Sequence, residues 1–151
     1  MDTLHIATSQ FLWKSTLDEI DWKELEALYR AAALGAKKAE TLRTTFSNST
    51  YRLFVYDGAR LVGAGRALAD GADCSYLCDV ALLPDYQGWG LGRQIVERLV
   101  ELSRGHRKIL LYSVRGKEPF YYKLGFRKMT TAMALFQNQE EQIAAGYLEE
   151  L

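Results

Sequence analysis

The run Pro84-Asp85-Tyr86-Gln87-Gly88-Trp89-Gly90-Leu91-Gly92-Arg93 constrains this chain more than any other stretch, because it joins a strand-like segment to an amphipathic helix through a turn rich in glycine. Upstream, Tyr76 to Leu83 has strand length and a nearly continuous apolar run, ended by Pro84, which cannot donate to a sheet ladder. Downstream, Leu91, Ile95, Leu99 and Leu102 recur at helical spacing with Val96 and Val100 beside them. Glycines at 88, 90 and 92 remove side chains where a ligand could approach the backbone. The first amides of the helix have no partners within it and lie at the positive end of its dipole, so the turn is a candidate phosphate cradle.

The spacing excludes two familiar cradles. A dinucleotide fingerprint starting at Gly88 and Gly90 would need a third glycine at 93, which is Arg93, and no Gly-Lys-Ser/Thr follows as a Walker A loop requires. What remains is Gln87-x-x-Gly90-x-Gly92 on a strand-to-helix turn. It resembles motif A of the GNAT N-acetyltransferase superfamily, whose members bind acetyl-CoA there. Further on, Phe120-Tyr121-Tyr122-Lys123-Leu124-Gly125-Phe126 is similar to that superfamily's motif B, Phe-Tyr-x-x-x-Gly-Phe, and follows a strand-like stretch at Lys108 to Val114. Read without the resemblance, the same heptapeptide is an aromatic helix capped by Gly125 in a left-handed conformation. The resemblance covers about Tyr51 to Phe136; the first fifty residues match only in general layout.

The resemblance implies an α/β (α+β) fold with a mixed central sheet flanked by helices and parallel strands splayed around acetyl-CoA. It also implies cofactor contacts at Val80, Ala81 and Leu82, at Gln87, Gly88, Trp89, Gly90, Leu91, Gly92 and Arg93, and at Tyr121. The acyl-pantetheine arm would enter between Leu77 to Leu83 and Ile109 to Val114, with the Tyr121 phenol near the sulfur as the acid for the leaving thiolate. An ordinary phenol, with a pKa of about 10, is protonated at neutral pH and suits that task. The candidate proton acceptor, or water-positioning group, is Asp79, the one acid in the apolar strand, since a buried carboxylate is costly without a partner or a task. Its structural alternative is a bond to a neighbouring loop, to Tyr76 or to Arg66.

Composition narrows the class. With 151 residues the chain is expected to form one domain, 1–151, with 139–151 a helical tail. A formal net charge of zero predicts no nucleic-acid or membrane partner, and the N-terminus does not read as a signal peptide, so the expected compartment is the cytoplasm. Cys74 and Cys78 fall on one strand face and His5 and His106 lie at no metal spacing, which predicts reduced thiols and no metal. Asn48-Ser49-Thr50 matches a glycosylation acceptor but reads as a loop.

Around the cradle, Leu4 to Ser15 reads as an opening strand, Asp21 as the cap of a helix running to Gly35, and Lys38 to Phe46 as a second helix. Tyr51 to Tyr56 and Leu61 to Ala69 form a hairpin around Asp57-Gly58, and Lys128 to Phe136 reads as a last strand. In the tail, Ile143, Tyr147 and Leu151 recur every four residues, a stripe that would pack on the domain or across a homodimer. The acceptor side would use Trp13, Asp18, Glu19, Asp21, Trp22, Glu24 and Tyr29, able to receive a cationic amine with an apolar body. The expected function is acetyl transfer from acetyl-CoA to a primary amine of a small molecule. A protein or peptide acceptor, or a noncatalytic acyl-CoA-binding module, stands as the alternative.

Overall fold

In the computed structural model, which describes residues 10–151, the chain divides into two compact units, Met1–Leu111 and Tyr112–Leu151. The first unit holds one five-stranded sheet in the order β1-β2-β3-β4-β5. Its strands are β1 (Phe11–Lys14), β2 (Tyr51–Asp57), β3 (Arg60–Ala69), β4 (Cys74–Leu82) and β5 (Lys108–Leu110). The first four pair antiparallel and β5 runs parallel to β4, so the sheet is mixed, as expected. The expected opening strand begins only at Phe11 within the described residues; Leu4 to Ser9, and His5 with them, lie outside those residues.

Three helices flank the sheet: α1 (Trp22–Ala31), α2 (Ala39–Ser47) and α3 (Leu91–Leu102). Asp21 caps α1 by accepting the amides of Lys23 and Glu24 at 3.0 and 3.2 Å. Glu24 does not close a capping box; its carboxylate accepts the Leu61 amide at 3.0 Å and so ties α1 to β3. The helix stops at Ala31, short of Gly35, because Ala33 turns to a positive φ of 59°.

One core cluster joins α1 and α2 to the sheet through Leu25, Leu28, Tyr29, Leu42, Phe46, Phe54 and Ala64. Phe46 stacks at 5.2 Å from Phe54 and 6.4 Å from Tyr29, and removing its ring would cost about 3–5 kcal/mol. Alternation along β3 turns Gly63 and Gly65 to the opposite face, where an added Cβ would lie only 3.0 Å from Ile95 atoms. Their missing side chains let α3 seat directly on the strands, which fixes where its N-terminus points.

The second unit contains α4 (Glu118–Tyr122) and α5 (Gln139–Ala144). Residues 128–136, expected as a strand, are assigned none: a strand exists only against a ladder partner, and this unit by itself offers no second strand. Likewise β5 ends at Leu110, short of the expected Val114. Asn138 caps α5 by accepting the Glu141 amide at 3.0 Å, and Gly146, at φ 86°, follows its end. Tyr147 and Leu151 therefore lie beyond the helix and do not continue a stripe from Ile143; Tyr147 packs edge-on to Tyr112, with ring centroids 5.5 Å apart.

Candidate active site

The cradle begins where β4 ends. Pro84–Tyr86 form a single 3-10 turn, Gly88 and Gly90 both take left-handed φ values of 87° and 81°, and α3 starts at Leu91. Gly90 is the N-cap of α3, yet no side chain caps the helix, and the first intrahelical bond comes only from Gln94 N to the Gly90 carbonyl at 3.1 Å. The amides of the first turn are therefore available to a ligand, and open space surrounds the Cβ positions of Gly88 and Gly90. This geometry fits a pyrophosphate.

Each predicted cradle residue has a distinct setting. Gln87 donates from Nε2 to the Leu82 carbonyl at 3.1 Å and so ties the loop to β4. Leu91 is fully buried, so only its backbone could serve a ligand. Arg93 is exposed and pairs with Glu97 at 2.8 Å. Trp89 leans on Tyr86 at 5.6 Å between centroids, and the Tyr86 hydroxyl donates to Asp57 at 2.6 Å, a brace from β2 to the cradle that the motif alone did not suggest.

Upstream, β4 is bulged. From Ala64↔Ala81 to Arg66↔Cys78 β3 advances two residues while β4 advances three, so the extra residue falls at Asp79–Val80. Asp79 takes φ 55°, a left-handed setting that costs a non-glycine residue roughly 1–2 kcal/mol. Three groups hold it. The Tyr29 hydroxyl donates to the Asp79 carbonyl at 2.5 Å, Arg66 Nε donates to Oδ2 at 2.8 Å, and Lys37 Nζ stands 3.3 Å from Oδ1. Arg66 is held in turn by the Ser49 hydroxyl at 3.3 Å and lies over the Phe46 ring.

Burial, reinforced by the Asp79 charge, raises the Tyr29 phenol well above its ordinary range, so it stays a donor. The Cys78 thiol beside it is pushed up to about 11, chiefly by burial, and is a neutral thiol at physiological pH. Both cysteines are free. Val80 is half-buried, while Ala81 and Leu82 are buried and laddered to β3. β4 pairs with β5 from Cys74 to Tyr76, over the whole length of β5.

In the second unit, α4 carries the aromatic motif. The Tyr121 carbonyl accepts the Phe126 amide at 3.1 Å and the Tyr122 carbonyl accepts the Gly125 amide at 3.1 Å, with Gly125 at φ 95°. This is the paired C-terminal closure in which a left-handed glycine is required, and it confirms the cap read from the sequence. Tyr121 packs edge-on to Phe120 and Phe126, and burial raises its phenol above the ordinary value, so its proton is retained at neutral pH.

Four of the seven acceptor-side residues have other partners. Asp21 caps α1, Glu24 binds the Leu61 amide, Tyr29 is fully buried on Asp79, and Trp13 lies 3.8 Å from the Arg98 guanidinium. Instead, an open depression of about 690 Å³ lies between α1 and α2, lined by Lys23, Glu26, Arg30, Lys37, Lys38 and Glu40. Sequence reasoning missed Lys37, and only its place in the short connection between two predicted helices could have drawn notice.

A family model described as an acetyltransferase (GNAT) domain matches residues 19–138, most of the chain and both motifs. The chain belongs to the GNAT acetyltransferase family. It is 29% identical over 120 residues to the chloroplastic GCN5-related N-acetyltransferase 1 of Arabidopsis thaliana, covering 77% of this chain but 61% of that relative. A glucosamine 6-phosphate N-acetyltransferase of Trypanosoma brucei brucei is 40% identical over 67 residues, 43% of this chain and 46% of its own. The crystal structure of a probable acetyltransferase from meticillin-resistant Staphylococcus aureus superposes with a TM-score of 0.74 at 24% identity, over 84% of this chain and 99% of that one. This GNAT protein is accordingly an acyltransferase of the N-acetyl type, with the mixed sheet of its family. Among the described residues no helix is long and apolar enough to cross a membrane.

Proposed function

We propose that this GNAT protein binds acetyl-CoA at the Gly88–Arg93 cradle and transfers its acetyl group to the primary amine of a small molecule. The observation that carries the reading is the uncapped N-terminus of α3, where Gly90 takes a left-handed turn and leaves amides and space for a pyrophosphate. Acetyl-CoA supplies the activated thioester; the chain supplies position, polarisation and proton transfer. Backbone groups of Val80, Ala81 and Leu82 hold the arm and polarise the carbonyl. Asp79, turned out of the ladder by the bulge, accepts the ammonium proton directly or through water on the lone pairs that Arg66 and Lys37 leave open. Tyr121 returns a proton to the departing sulfur, a role supported by its protonated phenol.

A small acceptor is supported by the depression between α1 and α2, whose volume lies in the range of about 300–1,000 Å³ usual for small-molecule sites. Four cations and two carboxylates line it, which favours an amine that also carries a phosphate or carboxylate over the cationic amine with an apolar body expected from sequence. Release of free thiol from acetyl-CoA with a panel of amines tests the reading, the panel holding an amino-sugar phosphate, a polyamine, an arylalkylamine and a lysine peptide. Turnover with a small amine supports it, turnover with the peptide alone assigns a protein acceptor, and tight acetyl-CoA binding with no release from any amine assigns a noncatalytic module.

A further inference from the structure

Lys37 belongs to the connection 32–38 between α1 and α2, a segment bent by positive φ values at Ala33 and Gly35. That bend carries a primary amine onto Asp79: Lys37 Nζ lies 3.3 Å from Oδ1, while Arg66 occupies Oδ2 at 2.8 Å. The two cations differ in character. Arg66 is largely buried, planar and tied to Ser49, whereas Lys37 is a third exposed and ends a flexible four-carbon stem. Lys37 also lines the depression between α1 and α2, so its ammonium stands on the carboxylate that an acceptor's ammonium would seek.

We propose that Lys37 is an internal acceptor, acetylated by the protein itself when acetyl-CoA is bound and no amine substrate is present. The proposal rests on the acetyl-transfer reading above and adds to it a modification site. The Lys37 ammonium gives one proton to Asp79, and the freed lone pair attacks the thioester carbonyl carbon. The N–C bond forms as the C–S bond breaks; the second nitrogen proton is lost to water and the departing thiolate takes one up, ending as free CoA thiol. No oxidant, reductant or further reactant is needed. The product is a neutral amide that can no longer pair with Asp79 as a cation, while Arg66 stays on that carboxylate.

The full chain incubated with acetyl-CoA alone, followed by peptide mass spectrometry and a thiol count, tests this. The expected result is one acetyl group at Lys37 with one CoA thiol released per chain, at a rate independent of protein concentration. Non-enzymatic acetylation would instead follow exposure and favour Lys23, whose side chain is 80% exposed against 32% for Lys37. The Gly92→Asp and Lys37→Arg variants should both lose the label. Acetyl groups at Lys23 and Lys38 equal to or above that at Lys37, or labelling unchanged in Gly92→Asp, would overturn self-acetylation. Calorimetry on the same preparation separates the two levels of failure. No acetyl-CoA binding overturns the parent reading and this one together, whereas binding and amine-dependent turnover with Lys37 unlabelled overturns this one alone.

Discussion

Arg66 Nε donates to Asp79 Oδ2 across 2.8 Å, from the β3 position whose ladder partner is Cys78, the residue just before the bulge. The carboxylate therefore holds the bulge, and substitutions must separate that task from the proton transfer proposed for it. Asp79→Asn keeps the shape and an oxygen for Arg66 but cannot take a proton. It is expected to lower turnover by the ~10²–10⁴ typical of general-base loss, with acetyl-CoA affinity little changed. Asp79→Ala strands Arg66 and should also cost stability, roughly 1–3 kcal/mol, less than a fully buried pair because both groups keep some solvent. Turnover of Asp79→Asn within twofold of the parent would make the residue purely structural.

Gly92→Asp is the sharper of two cradle substitutions. Gly92 has helical geometry, and its added Cβ would meet only Leu82 Cδ2 at 3.9 Å, so the domain should fold. Gly90→Asp would also strain a φ of 81°. The negative charge at 92 should repel the pyrophosphate and abolish acetyl-CoA binding by calorimetry while circular dichroism is unchanged. Unaltered affinity in a folded Gly92→Asp protein would remove the basis of the cradle.

Tyr121→Phe should reduce the maximal rate more than the acetyl-CoA affinity, since it removes one hydroxyl and keeps the ring on Phe120 and Phe126. Tyr122, the next residue on α4 and about 100° around its axis, should tolerate Phe with little effect. Steady-state kinetics of both variants decide it, and a crippled Tyr122→Phe beside a silent Tyr121→Phe would shift the assignment by one residue.

Gly125→Ala tests the closure of α4. At φ 95° a side chain is strained whatever the space around it, and the loss should be about 1–2 kcal/mol, read as a lower thermal midpoint. Because Tyr121 is oriented through the Phe126 amide, activity should fall in step with the misplaced ring rather than with cofactor affinity.

Asp70 accepts the amides of Ala72, Asp73 and Cys74, which, ahead of the smaller His106 charge effect, lower its pKa to about 2. A carboxyl depressed in the folded state stabilises fully above its unfolded pKa of about 3.9 and loses that contribution as pH falls through the folded value. Asp70→Ala should therefore be less stable than the parent at pH 6, and the gap should narrow between about pH 4 and pH 2. A gap independent of pH across that window would mean the turn does not need the charge.

Much of this molecule was legible from local pattern. The helix after the cradle, the hairpin at Asp57-Gly58, the cap at Asp21 and the left-handed Gly125 all follow from periodicity or from one residue's backbone preference, which act over a few positions and survive in any context. The tail misled for the complementary reason: a four-residue apolar recurrence requires a continuous helix, and α5 has already ended when Gly146 bends the chain before Tyr147.

What the sequence by itself determined is the cradle and its order in the chain: an apolar strand, glycines that permit left-handed turns, and a helix with free first amides. The partners of Asp79 were decided only by the tertiary structure. Lys37, Tyr29 and Arg66 stand 42, 50 and 13 positions away and meet it because sheet register, a one-residue bulge and the packing of α1 on the sheet bring them there. Side-chain chemistry is written residue by residue, but the charge that faces a carboxylate depends on long-range packing, which no local window contains.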